Sequence, residues 1–426
     1  MNLRSLATSV AVLFLLAVVV AQGDAQSGTA GDALVFDTFT PGPCSPNGQA
    51  HGGCPPGSRH RFMAVPVATG LASPWHLAFL PDGRSMLVTE LPGRLRVIRD
   101  SGSAPELVSG WPDVSLQPRT LHSVLVHPQF ARNNFIYLSY VKSDQDGRTT
   151  MALARGRLTD RSLTDVRELF VADAWIKGGP ISGRAAFGPD GMIYLSINDH
   201  DPFYNKSDSS VRMLSQDLAS DVGKVLRLRD DGTVPPDNPF VGRAGAKPEI
   251  FTYGHRNVTG FTWHPETGAL WACEIGPMGG DELNVLVAGR NYGWPVVSLG
   301  KIYNNTLVSE QSWWRAGMEM PMMYWMPSIS PSGLTFYTGD RMPWWKGHLF
   351  LGTLNGQQLQ RVAFNQPEQS ERRESLLMQL DSRIRHVVQG PDGYLYVVTE
   401  RRANGPGEPG DGEATNGIIY RIEPVD

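Results

Sequence analysis

The chain lacks several features that would declare a function early. Only 3 cysteines occur in 426 residues, and none has metal-ligand spacing, so a metal site built on thiolates finds no support. No stretch is densely basic, and the formal net charge of −4 comes from acidic and basic residues mixed along the chain. A nucleic-acid track is therefore not expected. No strongly basic amphipathic helix stands out to lie on a membrane surface. Beyond the N-terminus there is no run of 18 apolar residues, so no membrane span is expected once a leader has been removed. Long helical periodicity is scarce as well, which argues against a helix bundle.

What the chain does have is 46 Gly and 32 Pro, many of them placed as turns between short apolar runs. That pattern favours many short strands, and the length allows two ordinary domains or one large all-β domain. Residues 1–25 read as a signal peptide. Arg4 supplies the charged start, Leu6 to Ala21 the apolar stretch, and cleavage after Ala25 fits the small residues there. The mature protein is accordingly expected in the periplasm or secreted. Residues 26–62 are rich in Gly, Ser and Pro and are expected to form an irregular lead-in. Within it Cys44 and Cys54, close together in CSPNGQAHGGC, are expected to pair in an oxidising compartment. Cys273, in the apolar run LWACE, reads as an inert core residue.

From residue 63 onward a turn signal flanked by strand-like runs recurs six times, at Pro81–Gly83, His127–Phe130, Pro189–Gly191, His264–Gly268, Pro331–Gly333 and Pro391–Gly393. Strand, tight turn, strand is a hairpin, and Asp-Gly supplies the backbone freedom the turn needs. Recurrence about every 60 residues suits propeller blades. The expected fold of residues 63–426 is therefore all-β, a six-bladed β-propeller, with a sandwich of the same hairpins as the rival. A closed ring is preferred because it protects every blade edge. GIIYRIEP at Gly417–Pro424 is expected to complete the closing blade. Long inserts at Asp201–Asp221 and Leu299–Met320 are expected to project from one face and build a binding site.

Three segments carry more specific information. GHRN (Gly254–Asn257), GPMGGDELN (Gly276–Asn284) and NYGWP (Asn291–Pro295) follow one another in this order. Together with SRIR at Ser382–Arg385 they resemble the quinoprotein aldose sugar dehydrogenases of the glucose/sorbosone dehydrogenase family. The likeness runs from about Val65 to the C-terminus.

This resemblance implies a propeller that holds pyrroloquinoline quinone (PQQ) and Ca2+ and oxidises the anomeric carbon of a sugar, passing electrons to an acceptor the residues do not identify. Arg256 and Asn257, with Arg383 and Arg385, match cofactor contacts, and guanidinium forks suit carboxylates. On an ordinary strand Arg383 and Arg385 would share a face. Gly276 and Pro277 match backbone carbonyls that hold the cofactor's calcium, and Glu282 and Tyr292 match a second calcium site; hard oxygen ligands suit that ion.

The match is incomplete. Pro180 stands where the family has its catalytic His, although the Asp that orients this base is present as Asp199. A family Gln falls at Pro118, beside Gln117, and a family Lys falls at Asn355. His200, His122 and His76 are the candidates for a relocated base. The alternative function is a propeller that binds a saccharide or acidic ligand without redox chemistry.

Overall fold

The computed structural model describes residues 33–40, 58–112, 118–178, 181–201, 209–303, 305–309, 313–365, 370–401 and 415–425. Residues 1–25, expected as a signal peptide, the Cys44 and Cys54 expected to pair, Gln117 and Pro180 lie outside them.

The expected ring is present. The first four-stranded sheet begins with the inner strand Pro74–Phe79, the second with Pro118–Val126 and the third with Ala185–Phe187. Val258–Trp263 and Pro331–Phe336 open the fourth and fifth, and a five-stranded sheet starting from Arg383–Gln389 is the sixth. Each inner strand touches the next, and the sixth touches the first. All hairpins are antiparallel, so inner strands begin and second strands end at one face of the ring. Loops at that face carry the site. No helix among the described residues is long and apolar enough to cross a membrane.

The sixth blade is closed by both chain ends. Outward from Arg383–Gln389 run Leu395–Glu400, Gly417–Pro424, Ser58–Leu71 and Leu34–Thr40. Gly417–Pro424 thus completes the closing blade as expected. The stretch 26–62, expected to be irregular, contributes Leu34–Thr40 and the start of Ser58–Leu71, paired from Leu34↔Ala64 to Thr40↔Ser58. Phe36 and Thr38 alternate inward against outward Val35, Asp37 and Phe39, which is strand periodicity over a few residues. Phe36 and Phe62 pack with Trp345 and Phe350 in the core between blades five and six. Glu374 of blade five accepts from Thr38 Oγ1 at 2.9 Å and from the Phe39 amide at 3.1 Å.

The inner strands are not regular. Register breaks fall at Pro74/His76, Leu121/Val124, Val258/Gly260, Pro331/Leu334 and Ile384/His386. A bulge releases backbone groups from the ladder, and here they are used between blades. Thr259 Oγ1 donates to Pro331 O at 2.6 Å and Ser332 Oγ to Arg385 O at 2.8 Å. Arg184, itself buried, spans the ring: its Nε donates to Thr259 O at 2.8 Å and its Nη2 to Arg385 O at 3.3 Å.

If the N-terminal strands are an integral part of the ring, truncating the fully buried Phe62 (Phe62→Ala) should lower stability by about 3–5 kcal/mol in denaturant unfolding. Val35→Ala, on the half-exposed outer face, should change it by less than about 0.5 kcal/mol.

Candidate active site

A cavity of about 270 Å³ opens on the loop face where blades three to six meet. Blade three supplies Ser182, Asn198, Asp199 and Asp201, and blade four supplies Arg256, Asn257 and Ile275. Ser330, Leu354 and Asn355 come from blade five, Arg383 from blade six, and Tyr303 from the long insert. Of the expected site residues, Asp199, Arg256, Asn257 and Arg383 are brought together here.

Arg256 is held from several sides. Its amide and that of Asn257 donate to the buried Glu274 carboxylate, the latter at 3.3 Å. Its own carbonyl accepts from the Asp199 amide at 2.7 Å, locking blade three to blade four. The guanidinium sits 5.7 Å from the Trp294 ring, and Nη1 donates to Ile275 O and Gly276 O at 2.9 and 3.1 Å. Nε is buried without a hydrogen-bond partner. Asn257 Oδ1 accepts from Ser182 Oγ at 2.8 Å, which fixes the amide of Asn257 on the cavity wall.

Arg383 and Arg385 part company. Glu400 binds both, at 3.1 Å from Arg383 Nη1 and 2.8 Å from Arg385 Nε. Only Arg383 lines the cavity. The register break between Ile384 and His386 ends the simple alternation, and Arg385 lies buried with its guanidinium 4.7 Å from the Trp75 ring.

Asp199 is a buried carboxyl on the cavity wall. Its Oδ2 accepts from the Trp294 indole N–H at 2.8 Å and its Oδ1 from the Asp201 amide at 3.1 Å. Burial pushes its pKa up to about 6, although the Arg256 charge pulls the other way. The candidate histidines are elsewhere. His200, at a left-handed φ of 54°, is fully buried, neither ring nitrogen is bonded, and burial pushes it down to about 3. His122 is pushed down to about 3 by burial and by Arg184. His76 is held well below its ordinary value by the same causes. Neither lines the cavity. They pack at the ring axis instead, His76 stacked on His386 at 4.1 Å and His122 on Trp75 at 4.8 Å.

The two candidate calcium regions lie under the same wall. The loop from Gly276 to Gly280 is so tight that a Cβ on Gly276 would lie 2.4 Å from Gly279 O. Gly276 N donates to Asp281 Oδ1 at 2.9 Å, while its carbonyl accepts from Arg256. Pro277 packs against Gly300 of the long insert. In the second region Glu282 stands directly across the ladder from Glu274. Burial first, then the Glu274 charge, pushes its pKa up. Asn284 donates to Glu282 at 3.1 Å, and its Oδ1 is buried without a partner. Tyr292 stacks on His255, which bonds Glu274; the Tyr292 hydroxyl itself donates to Val285 O at 2.6 Å. Among the described residues no three His, Cys, Asp or Glu side chains gather as a metal-binding group.

The model of the glucose/sorbosone dehydrogenase family matches residues 71–406. The chain belongs to that family. Aldose sugar dehydrogenase YliI of Escherichia coli is 37% identical over 335 residues, covering 78% of this chain and 88% of the relative. The apo crystal structure of the E. coli soluble aldose sugar dehydrogenase superposes with a TM-score of 0.75 at 34% identity, over 85% of this chain and 99% of the other. The PQQ-bound aldose sugar dehydrogenase of Streptomyces coelicolor gives 0.65 at 26% identity, over 84% and 96%.

As a glucose/sorbosone dehydrogenase family member, the chain shows which site residues its motifs left unmarked. Asp201 and Tyr303 fall within the two inserts expected to build the site. Ser182, Asn198 and Ser330 carry no sequence signal of their own, because serine and asparagine at loop ends are ordinary turn residues.

The sign of the Asp199 shift gives a stability test. Its pKa is raised from 3.8 to about 6, so the neutral form favours folding, and that contribution is full below pH about 4 and lost as pH rises through about 6. Asp199→Asn should therefore stabilise the cofactor-free protein at pH 7.5, by up to about 3 kcal/mol. Chemical unfolding should show the gain shrinking towards zero at pH 4.

Proposed function

We propose that the protein is an exported quinoprotein oxidoreductase that oxidises the anomeric hydroxyl of aldose sugars with PQQ and Ca2+. The observation that carries this reading is the convergence of Arg256, Asn257 and Arg383 with the Asp199 carboxyl on one cavity. PQQ, when bound, supplies a quinone that accepts hydride from the sugar carbon.

The residues present fit such a group. Arg256 has a buried Nε with no partner, a donor suited to one of the carboxylates of PQQ. Arg383 adds a second cation, and the amides of Asn257 and Asn355 add neutral donors. Asn355 replaces a cation of the resembling family, which weakens the hold by about 2–3 kcal/mol, the size of a charged hydrogen bond. The tricarboxylate would still meet two guanidinium groups.

Calcium has two candidate places. Gly276 and Pro277 would offer carbonyl oxygens beside the cavity, the hard ligands calcium prefers. Gly276 O is now bonded to Arg256, so metal and guanidinium share one acceptor. Glu282 has the stronger local case: two carboxyls face each other across the ladder, an arrangement that disfavours charge on both, and the orphaned Asn284 Oδ1 adds an oxygen. Tyr292 is linked to this pair through His255, on which it stacks and which bonds Glu274. The leader at residues 1–25 supports a periplasmic or secreted location, with a small-molecule sugar as substrate.

Reconstitution with PQQ and Ca2+ should give dye reduction with glucose or another aldose. PQQ at 100 times its Kd should stabilise the protein by about 2.7 kcal/mol, and Arg256→Ala should abolish that gain. Stabilisation without turnover would favour a propeller that binds without redox chemistry. No response to PQQ would overturn the reading.

A separate measurement addresses the second calcium. Ca2+ should raise the Tm of the cofactor-free protein at pH 7.5, and Glu282→Gln should remove at least half of that rise. An unchanged rise would place the metal elsewhere.

A further inference from the structure

A hydroxyl oxidised in this cavity must lose its proton to a group on the cavity wall. Among the described residues that wall carries two carboxyls, Asp199 and Asp201, and no imidazole. Guanidinium groups have no lone pair to offer, which removes Arg256 and Arg383. Asp201 is engaged in an ion pair with the buried Arg212 at 3.5 Å. His200, although next in sequence to Asp199, is turned into the protein interior with both ring nitrogens unbonded. His76 and His122 lie at the ring axis, away from the wall.

Asp199 has the geometry of an acceptor. One donor reaches each of its oxygens, the Trp294 indole at 2.8 Å on Oδ2 and the Asp201 amide at 3.1 Å on Oδ1. A carboxylate oxygen has two lone-pair sites, so each keeps one for a ligand. Both donors are rigidly placed. Trp294 belongs to the NYGWP loop, whose Trp294 amide donates to Gly254 O at 2.9 Å. The backbone of Asp199 is tied to Arg256. The carboxyl thus cannot swing away from the cavity without breaking its hydrogen bonds to Trp294 and to the Asp201 amide.

We propose that Asp199 is itself the general base of this site, taking the proton of the sugar hydroxyl rather than orienting a histidine that would take it. The inference rests on the dehydrogenase reading given above. In the balanced step the O–H bond breaks, its proton goes to an Asp199 oxygen and its electron pair becomes the second C–O bond. The anomeric C–H bond breaks and leaves as hydride to the quinone oxidant, so the sugar is oxidised by two electrons to the lactone. Trp294 and the Asp201 amide are positioning groups, since in this step they act through the Asp199 carboxyl.

The electrostatic setting supports the role. Burial raises the Asp199 value, the Arg256 guanidinium from blade four limits the rise, and the Asp201 carboxylate adds to it. Arg212 faces Asp201 from behind. The outcome, about 6, leaves the group ionised at neutral pH and more basic than an ordinary aspartate, the compromise a general base needs. Pro180, standing where the resembling family has a histidine, offers no side-chain lone pair. A base on the wall itself makes that loss tolerable.

The test uses the protein loaded with PQQ and Ca2+. Asp199→Asn should lower kcat by 100- to 1000-fold, with PQQ affinity changed less than threefold. In Asp199→Ala, added formate should restore at least tenfold of the lost kcat, because a small carboxylate fills the vacated place. A readout without cofactor is the carboxyl carbon of Asp199 followed by NMR: it should titrate near pH 6, and the Trp294 indole proton should move with it. The proposal is overturned by an Asp199→Asn enzyme within threefold of wild-type kcat, by formate having no effect while PQQ still binds, or by titration at an ordinary aspartate value. A wild-type protein that binds PQQ yet oxidises no aldose refutes the dehydrogenase reading instead, which separates the two failures.

Discussion

The site depends on a cluster of arginines held in fixed positions at the centre of the ring. Arg184, Arg256, Arg383 and Arg385 all reach this region, and Glu400 is shared by two of them. An arginine taken out of water needs a partner or it costs several kcal/mol. Arg184 and Arg256 find backbone carbonyls rather than carboxylates. Carbonyl dipoles take part of the hydrogen-bonding capacity without cancelling the charge, and Arg256 Nε is left for a ligand. Among the described residues Arg256 and Arg383 open on the same cavity, beside the carboxyls of Asp199 and Asp201, so that cavity presents fixed cations to a ligand carrying negative charge.

The bulges of the inner strands make that arrangement possible. A regular strand would spend the carbonyls of Thr259 and Arg385 on its own ladder. With the register broken they turn toward the axis and receive Arg184. The same irregularity separates Arg385, which braces Glu400 and Trp75, from Arg383, which meets the cavity. Rigidity follows from this cross-bracing. A pocket whose cations are already fixed loses little side-chain entropy when an anion arrives.

Much of the fold could be read from the sequence, because five of the six turn signals fall between the first two strands of a blade; Pro331–Gly333, read as a turn, instead begins the inner strand of blade five, where a bulge takes up the glycine. GHRN and SRIR also pointed to the right loops. Three features were hidden, each for a physical reason. Leu34–Thr40 alternates as a strand, but the Gly- and Pro-rich residues on either side conceal it. Arg383 and Arg385 look equivalent until the bulge between Ile384 and His386 sets them apart. The histidines near the axis look like bases in sequence, whereas burial beside Arg184 keeps His76 and His122 neutral and away from the cavity. Ser182 and Ser330 could not be singled out at all, since only the folded ring shows which loop ends face the same space.

The account's central claim is that one cavity, walled by Arg256 and Arg383, receives the quinone. A crystal structure of the protein soaked with PQQ and Ca2+ tests it most directly. The account predicts density for the tricyclic group within hydrogen-bond distance of both guanidinium groups, with Asp199 facing the reactive carbonyls. PQQ bound on another surface, or a cavity that stays free of it at saturating concentration, would contradict the claim.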